Sequence, residues 1–397
     1  MKFNPAAETA RYIDSLGPEA LQKAADYTNA SQWMLLWGLL VSALVTWIIV
    51  RSGILDKVSA KLESRASALR ILLVSATYFL VSALISLPWS IYEEWGFEKS
   101  YGRTEQPLTE FLMQDATGIA ISSVLGGLFF LGVYALMRRA GKRWWLWAGG
   151  FAGLAISFGL LVSPILIEPI FNDYKPVPAG PVRTALLSMA DDAGIPHDRL
   201  LMYDGSRQSN YFTANVSGVF GSARIAISDV ALKEASLDEV KAVTGHEVGH
   251  YVEGHIWRTV GLFALLSMLG FYLADRLFPR FAKLFGSKKR VDDPVGLPVL
   301  LFIVGLFGIL ATPAINFMIR QGERDADNYS LRTANLPDAL SAALVKTAEY
   351  RYPRPSPLQE ALFYTHPSVE WRVRNAMEWK KKQMAKTNLQ QSMPAVR

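Results

Sequence analysis

Long stretches without a charged residue dominate the hydropathy pattern of the chain. A helix needs about 20 apolar residues to cross the hydrocarbon core of a bilayer. Six stretches are predicted to be membrane-spanning helices. The fifth is the shortest, and the alternative interpretation of it is a buried helix in a soluble core. The six stretches cover residues 33–50, 71–92, 116–137, 144–167, 259–274 and 294–319.

Two polar segments stand apart from these spans, one between the fourth and fifth and one after the sixth. Because two spans separate them, both lie on the same side of the membrane and can fold as one domain. The first contains a helical pattern over 180–195 and two strand patterns, "RLLMYDG" and "RQSNYFTANVSGVFGSARIAISD", the second with a Gly/Ser turn. Ser236 and Glu239 form a capping-box pattern, which predicts that a helix begins there.

These elements predict a mainly α, polytopic membrane protein with about six transmembrane helices and a zincin-like α+β metallopeptidase domain. The predicted organisation is an N-terminal region of four spans at 1–167, the first part of the peptidase domain at 168–258, two spans at 259–319, the second part of the domain at 320–380, and a basic tail at 381–397.

Basic residues are unevenly distributed among the loops. Loops 51–70, 138–143 and 276–290 carry five, four and six Lys/Arg, whereas 1–31 and 93–115 carry three and two. The positive-inside rule therefore predicts that the first three loops are cytoplasmic and that both polar segments are not. Anionic membrane lipid accounts for the net charge of +6, so no nucleic-acid partner is predicted. The absence of cysteine excludes disulfides and thiolate chemistry.

The stretch "GHEVGHYVEGH" holds three of the five histidines of the chain. His246 and His250 are four residues apart, so on a helix both rings can reach one ion. Neutral imidazoles suit Zn²⁺, and Glu247 is placed to act on water as a general base. His255, nine residues after His246, is predicted to lie on the opposite face of the same helix, as a polar residue near the membrane surface.

The third metal ligand must come from elsewhere, since catalytic zinc commonly binds two histidines and a glutamate. The best candidate segment is "RQGERDADNYS", in which Glu323 and Asp327 share a helix face; one can bind the ion while the other supports a ligand histidine. An amphipathic helix with solvated charges is the alternative. In "YTHPSVEWRVRNA", His366 could donate a hydrogen bond to a developing oxyanion, or it could simply cap a surface helix.

Several segments in this order resemble the type I CAAX prenyl protease family of integral-membrane zinc endopeptidases. The resemblance covers roughly residues 70–380. It rests on "LPWSIYEEWGFEKSYG", "FLMQDA", "PILIEPIFNDYKPVPAG", "SRQSNYFTANVSG", "ARIAISDVAL", "GHEVGHYVEGH", "ERDAD" and "THPSVEWRVRNA".

The resemblance implies one Zn²⁺ per chain, bound by His246, His250 and Glu323. It implies that Glu247 is the catalytic base and that Asp327 is the partner that supports one of the zinc ligands. It also implies that His366 stabilises the tetrahedral intermediate, that Asn210 and Arg372 contact substrate, and that the spans wall a chamber. A strand over 210–228 could hold a peptide in extended form beside the zinc. The family usually has seven spans, one more than predicted here.

We therefore expect a multi-pass zinc endopeptidase in membrane lipid that acts on a peptide or protein, prenylated if the resemblance extends to substrate. The alternative is a quality-control protease of membrane proteins without prenyl specificity. A metal-binding transporter is a distant alternative, because the spans contain no charged groups. A bacterial cell membrane is the expected location.

Overall fold

The computed structural model describes residues 3–211, 213–218 and 223–392 of the 397-residue chain. The described part is mostly helical, which confirms the predicted fold class. The helices of the first half are α1 Pro5–Asp14, α2 Gly17–Ser52, α3 Ile54–Lys61, α4 Ser67–Ser90, α5 Glu98–Ser100, α6 Leu108–Ala140, α7 Trp144–Val162 and α8 Glu168–Phe171.

The rest of the chain, after α8, contains all four described strands. The strands are β1 Tyr174–Pro176, β2 Leu200–Tyr203, β3 Ala214–Ser217 and β4 Arg224–Ser228. The helices are α9 Pro181–Ala193, α10 Asp229–Glu234, α11 Leu237–Val252, α12 His255–Phe285, α13 Leu297–Thr333, α14 Pro337–Lys346, α15 Pro357–Phe363 and α16 Val369–Ser392.

Five helical stretches of the described chain are long and apolar enough to cross a membrane, and one of them, Leu108–Phe171, is 64 residues long. That stretch contains both α6 and α7. Phe151 of α7 stacks on Phe129 of α6, so the chain reverses direction at the intervening turn, Gly141–Arg143. All six predicted spans therefore lie in long apolar helices, including the short fifth one, which is part of α12.

The chain divides into two compact units. One unit comprises Gln32–Leu160 and Trp257–Thr312 and contains most of the apolar helices. Its core is built from aromatic and aliphatic side chains such as Phe130, Tyr134, Phe278 and Leu300. Glycines let its helices approach closely: a Cβ on Gly149 of α7 would lie 2.5 Å from the Cα of Met268 on α12.

Replacing Gly149 by Ala is expected to destabilise this unit by about 1–3 kcal/mol, because the new methyl group meets the Met268 backbone and forces α7 away from α12. Gly159→Ala is the matched control, since a Cβ at Gly159 of the same helix meets nothing within 4 Å. Thermal unfolding in detergent measures both variants. Equal midpoints for the two would show that the close approach contributes no stability.

The other unit comprises Met1–Ser31, Leu161–Ile256 and Pro313–Arg397. Its sheet has the strand order β1-β2-β4-β3, with β2 and β4 parallel and both outer strands antiparallel to their neighbours. Helix α9 and strands β2, β3 and β4 confirm the helix and strand predictions for this segment. The predicted Gly/Ser turn between β3 and β4 falls mostly on residues 219–222, outside the described residues.

Two buried clusters hold α11 in place in this unit. Val240 and Val248 pack with the sheet residues Ile225 and Ile227, whereas Ala242 packs with a second cluster that includes residues of α13, α14 and α16. The strand β4 is buried at all five positions. Helix α11 is therefore fixed on both sides, between the sheet and the C-terminal helices.

Candidate metal centre

Helix α11 starts at the predicted capping box. The Ser236 side chain accepts a hydrogen bond from the Glu239 backbone, and the Glu239 carboxylate accepts one from the Ser236 backbone. Lys346 of α14 also contacts the Glu239 carboxylate, at 2.9 Å. Within this helix His246 and His250 are four residues apart and therefore lie one turn apart on one face, with Nε2 atoms 3.1 Å apart.

The facing helix is α13, which continues without interruption from the last apolar run through Glu323 to Thr333. Close contact between α11 and α13 depends on Gly249, where a Cβ would lie 3.0 Å from the Cα of Ala326. Ser330 of α13 donates a hydrogen bond to the Ala242 carbonyl, at 2.7 Å. The two helices therefore approach closely enough for a glutamate on one to meet the histidines of the other.

Glu323 lies between the two histidine rings. Its Oε2 is 3.3 Å from His246 Nε2, and its Oε1 is 3.3 Å from His250 Nε2. Four ligands at about 2.0–2.1 Å from a tetrahedral zinc ion lie about 3.3–3.4 Å from one another. Glu323 Oε2 is buried and accepts no hydrogen bond from the described residues. The spacing and the unpartnered oxygen both fit a cation held by His246, His250 and Glu323.

Asp327 lies one turn after Glu323 and holds His246 from behind. Its Oδ1 is 2.9 Å from His246 Nδ1. A carboxylate can only accept here, so His246 donates from Nδ1, which leaves Nε2 as the atom of the neutral ring that can bind a metal ion. Burial lowers the pKa of His246, but the hydrogen bond to Asp327 and the negative charge of Glu323 outweigh it and raise that pKa to about 10. The surroundings of this ring thus favour positive charge, which a metal ion would supply.

Arg372 of α16 completes this cluster by binding Asp327 through two hydrogen bonds, from Nε at 2.8 Å and from a terminal nitrogen at 2.6 Å. The same guanidinium is 3.6 Å from Glu323. Burial lowers the pKa of Arg372, and the adjacent Asp327 more than restores it, so the group stays charged. It compensates the negative charge of two buried carboxylates.

Glu247 and His366 face one cavity of about 230 Å³, which is also lined by His246, Arg351 and Arg372. Burial raises the pKa of Glu247, which moves this carboxylate toward the range of an effective general base. His366 Nε2 is 3.4 Å from Glu323. Burial lowers the pKa of His366 to about 3, so the ring is neutral and keeps one N–H to donate.

The edge strand β3 borders the same cavity through Ala214, beside Tyr211 and Thr213. Ala214 pairs with Ile227 of β4 on one side, and β3 is the last strand of the sheet in the described chain. Asn210 is exposed and immediately precedes Tyr211. The sequence-predicted peptide segment thus adjoins the cavity that Glu247 and His366 face.

The prediction for His255 is wrong. Helix α11 ends at Val252, and Gly254 has a φ of 65°, which turns the chain so that His255 begins a new helix. His255 is buried, with its Nδ1 2.8 Å from His250 Nδ1 and its Nε2 3.6 Å from Asp325. The expected position assumed an unbroken helix; Gly254, two residues after the last residue of α11, was the signal that the helix ends.

The structure brings His246, Glu247, His250, Glu323, Asp327 and His366 together, with Arg372 in direct contact with three of them. Sequence reasoning did not anticipate that Arg372 binds the carboxylate behind His246. Charge balance could have indicated this contact: two buried carboxylates need a cation nearby, and Arg372 is one of the arginines that follow His366.

Family comparisons cover almost the whole chain. The model described as CAAX prenyl protease N-terminal, five membrane helices, matches residues 5–173. The model of peptidase family M48 matches residues 176–380. Both predicted parts of the peptidase domain lie almost entirely within the second match.

Similar proteins come from bacteria and eukaryotes. An uncharacterized metalloprotease, YhfN, of Bacillus subtilis is 27% identical over 369 residues, covering 90% of this chain and 86% of its own. CAAX prenyl protease 1 of Saccharomyces cerevisiae is 25% identical over 397 residues, covering 91% and 86%. The crystal structure of S. mikatae Ste24p has a TM-score of 0.76 at 20% identity, covering 94% of this chain and 95% of that chain. At 20% identity, the similarity to S. mikatae Ste24p shows a shared fold and nothing more.

Proposed function

Because the chain belongs to the type I CAAX prenyl protease family within peptidase family M48, and is thus an integral-membrane metalloendopeptidase, we propose that it hydrolyses peptide bonds with one Zn²⁺ bound by His246, His250 and Glu323. The observation that carries this proposal is the mutual 3.1–3.3 Å spacing of the three donor groups. Asp327 fixes the tautomer of His246 that such binding requires.

Zinc held at this position would supply Lewis-acid polarisation of the substrate carbonyl and would acidify water. In our proposal Glu247 accepts the proton from the attacking water as the carbon–oxygen bond forms. Glu247 then passes that proton to the leaving amine nitrogen, so the carboxylate is regenerated at the end of the reaction. Its raised pKa favours the first transfer, because a more basic carboxylate accepts a proton more readily.

His366 would donate its N–H to the developing oxyanion across the cavity from Glu247. The lowered pKa of His366 favours neutral imidazole, which keeps one N–H for this hydrogen bond. Arg372 would contribute by holding Asp327, and also by contact with substrate, since part of Arg372 lines the cavity. Asn210 would contact substrate at the entrance to β3.

The substrate would bind in extended form along β3, whose outer edge can accept a further strand. Such addition needs only backbone hydrogen bonds, so it does not by itself select a sequence. Specificity for a prenylated C-terminus is the finer proposal, supported by the similarity to CAAX prenyl protease 1 of Saccharomyces cerevisiae.

The charge bias among the loops supports a different substrate class. Fifteen Lys/Arg in three loops against five in the two others favour a peptidase domain on the non-cytoplasmic side. Exported or membrane proteins would meet the site there, in a bacterial cell membrane, and prenylation would not be required. This quality-control role is the second candidate function.

One assay separates the two candidates. The detergent-purified chain, loaded with zinc, is incubated with a farnesylated C-a-a-X peptide and with its unprenylated twin, and a Glu247→Ala variant serves as the blank. Cleavage of the farnesylated peptide alone is the expected result for a prenyl protease. Equal cleavage of both supports quality control, and cleavage of neither, with zinc bound, contradicts the proposed peptidase function for these sequences.

A further inference from the structure

A pocket lined by basic side chains lies at the ends of three apolar helices in the unit that contains Gln32–Leu160 and Trp257–Thr312. We call it the basic pocket; its volume is about 580 Å³. Five cationic and two acidic side chains line it. These are Arg70, Arg138, Lys288, Lys289 and Arg290, with Asp292 and Asp293.

The basic pocket lies where three membrane spans begin or end. Arg70 directly precedes the apolar run 71–92, Arg138 directly follows the run 116–137, and Pro294 is the first residue of the run 294–319. Ends of apolar runs mark the boundary between hydrocarbon and headgroups. The pocket is therefore at the depth where lipid phosphates lie.

The cations of the pocket are only partly neutralised. Lys289 pairs with Asp56 at 2.8 Å, Arg290 with Asp292 at 3.1 Å, and Arg70 with Asp293 at a looser 3.6 Å. Arg138 and Lys288 are exposed and form no ion pair with any carboxylate in the described ranges. The Nε of Arg70 is buried and has no hydrogen-bond partner there. Positive charge on Arg138 and Lys288 thus remains available to an anion.

The helix that starts at the pocket adds to this potential. Helix α4 begins at Ser67, which lines the pocket, after Ala66, which provides no side-chain cap, and its first turn carries no acidic residue. The N–H groups of a helix start attract negative charge. Ile71, the first residue of the apolar run 71–92, also lines the pocket, so the pocket adjoins the apolar part of this helix.

We propose that the basic pocket binds the phosphodiester headgroup of an anionic phospholipid of the phosphatidylglycerol type. Arg138 and Lys288 contact the phosphate, and the acyl chains follow the apolar run of α4 that begins at Ile71. The interfacial depth and the adjoining apolar run favour a lipid over free inorganic phosphate. The site is independent of the metal centre.

The test titrates detergent-solubilised full-length protein with short-chain phosphatidylglycerol, using the thermal unfolding midpoint to obtain an affinity. Phosphatidylcholine of the same chain length and inorganic phosphate are the parallel titrants. Arg138→Gln combined with Lys288→Gln is expected to weaken phosphatidylglycerol binding by about 25-fold, at about fivefold per charge removed. The charge-conserving exchange Arg138→Lys with Lys288→Arg should retain binding.

Lys142→Gln combined with Arg143→Gln is the matched control, because it removes two exposed cations from the next turn. This control should bind phosphatidylglycerol as the unmodified protein does. Equal weakening by the control would overturn the proposal, because general surface charge would then explain binding. An equal midpoint shift with inorganic phosphate or phosphatidylcholine would also overturn it.

Discussion

Replacing Glu247 by Gln is expected to slow peptide hydrolysis by about 10²–10⁴-fold while one zinc ion per chain remains bound. The amide preserves the shape of the side chain but cannot accept the proton from water at neutral pH. The three donor groups of His246, His250 and Glu323 do not include Glu247, so metal binding should not change. Initial rates and metal content, measured on the same preparation, check both expectations.

Glu253→Gln is the control for this variant. Glu253 directly follows α11, and its carboxylate pairs with Arg332 at 3.3 Å, so the exchange removes the same charge close to the motif. Its rate should stay near that of the unmodified protein. Turnover of Glu247→Gln at an unchanged rate would exclude Glu247 as the proton acceptor.

Replacing Glu323 by Ala is expected to weaken zinc binding by more than about 100-fold, since loss of a direct ligand should exceed the 10–100-fold effect of losing an outer partner. The measurement is zinc content after dialysis against a weak chelator, which should fall from one ion per chain to a small fraction. Activity should fall with it and return partly at high zinc concentration. That partial return distinguishes a lost ligand from a lost base.

A carboxylate of the same unit provides the comparison for Glu323→Ala. Glu370 lies on α16 and pairs with Arg354 at 2.9 Å, so Glu370→Ala removes one carboxylate without touching the histidines. It should retain full zinc content. If Glu323→Ala retained one zinc ion under these conditions, the third ligand would have to be another residue, and the assignment of His246, His250 and Glu323 would be incorrect.

Several features could be predicted from local sequence because their physical cause is local. Uncharged runs of sufficient length predict spans regardless of their neighbours, and all six predicted runs lie in long apolar helices. The capping box of Ser236 and Glu239 needs only residues three apart, and it is present. The pair His246 and His250 shares a helix face because of helical periodicity alone.

Other features required the tertiary structure because they depend on residues distant in sequence. The sequence offered Glu323 and Asp327 as candidates without deciding between them; the close approach at Gly249 places Glu323 beside both rings and Asp327 behind His246. The contact of Arg372 with Asp327 spans 45 residues.

The position of His255 could not be predicted from helical periodicity. Periodicity assigns a side chain to a face only while the helix continues, and here one residue with a left-handed backbone, Gly254, ends that continuity. The sequence by itself thus determined the membrane-spanning helices and the two-histidine face. Packing between α11, α13 and α16 decided which carboxylate meets the histidines. These contacts join segments that are far apart in sequence, and separation along the chain does not determine distance in space.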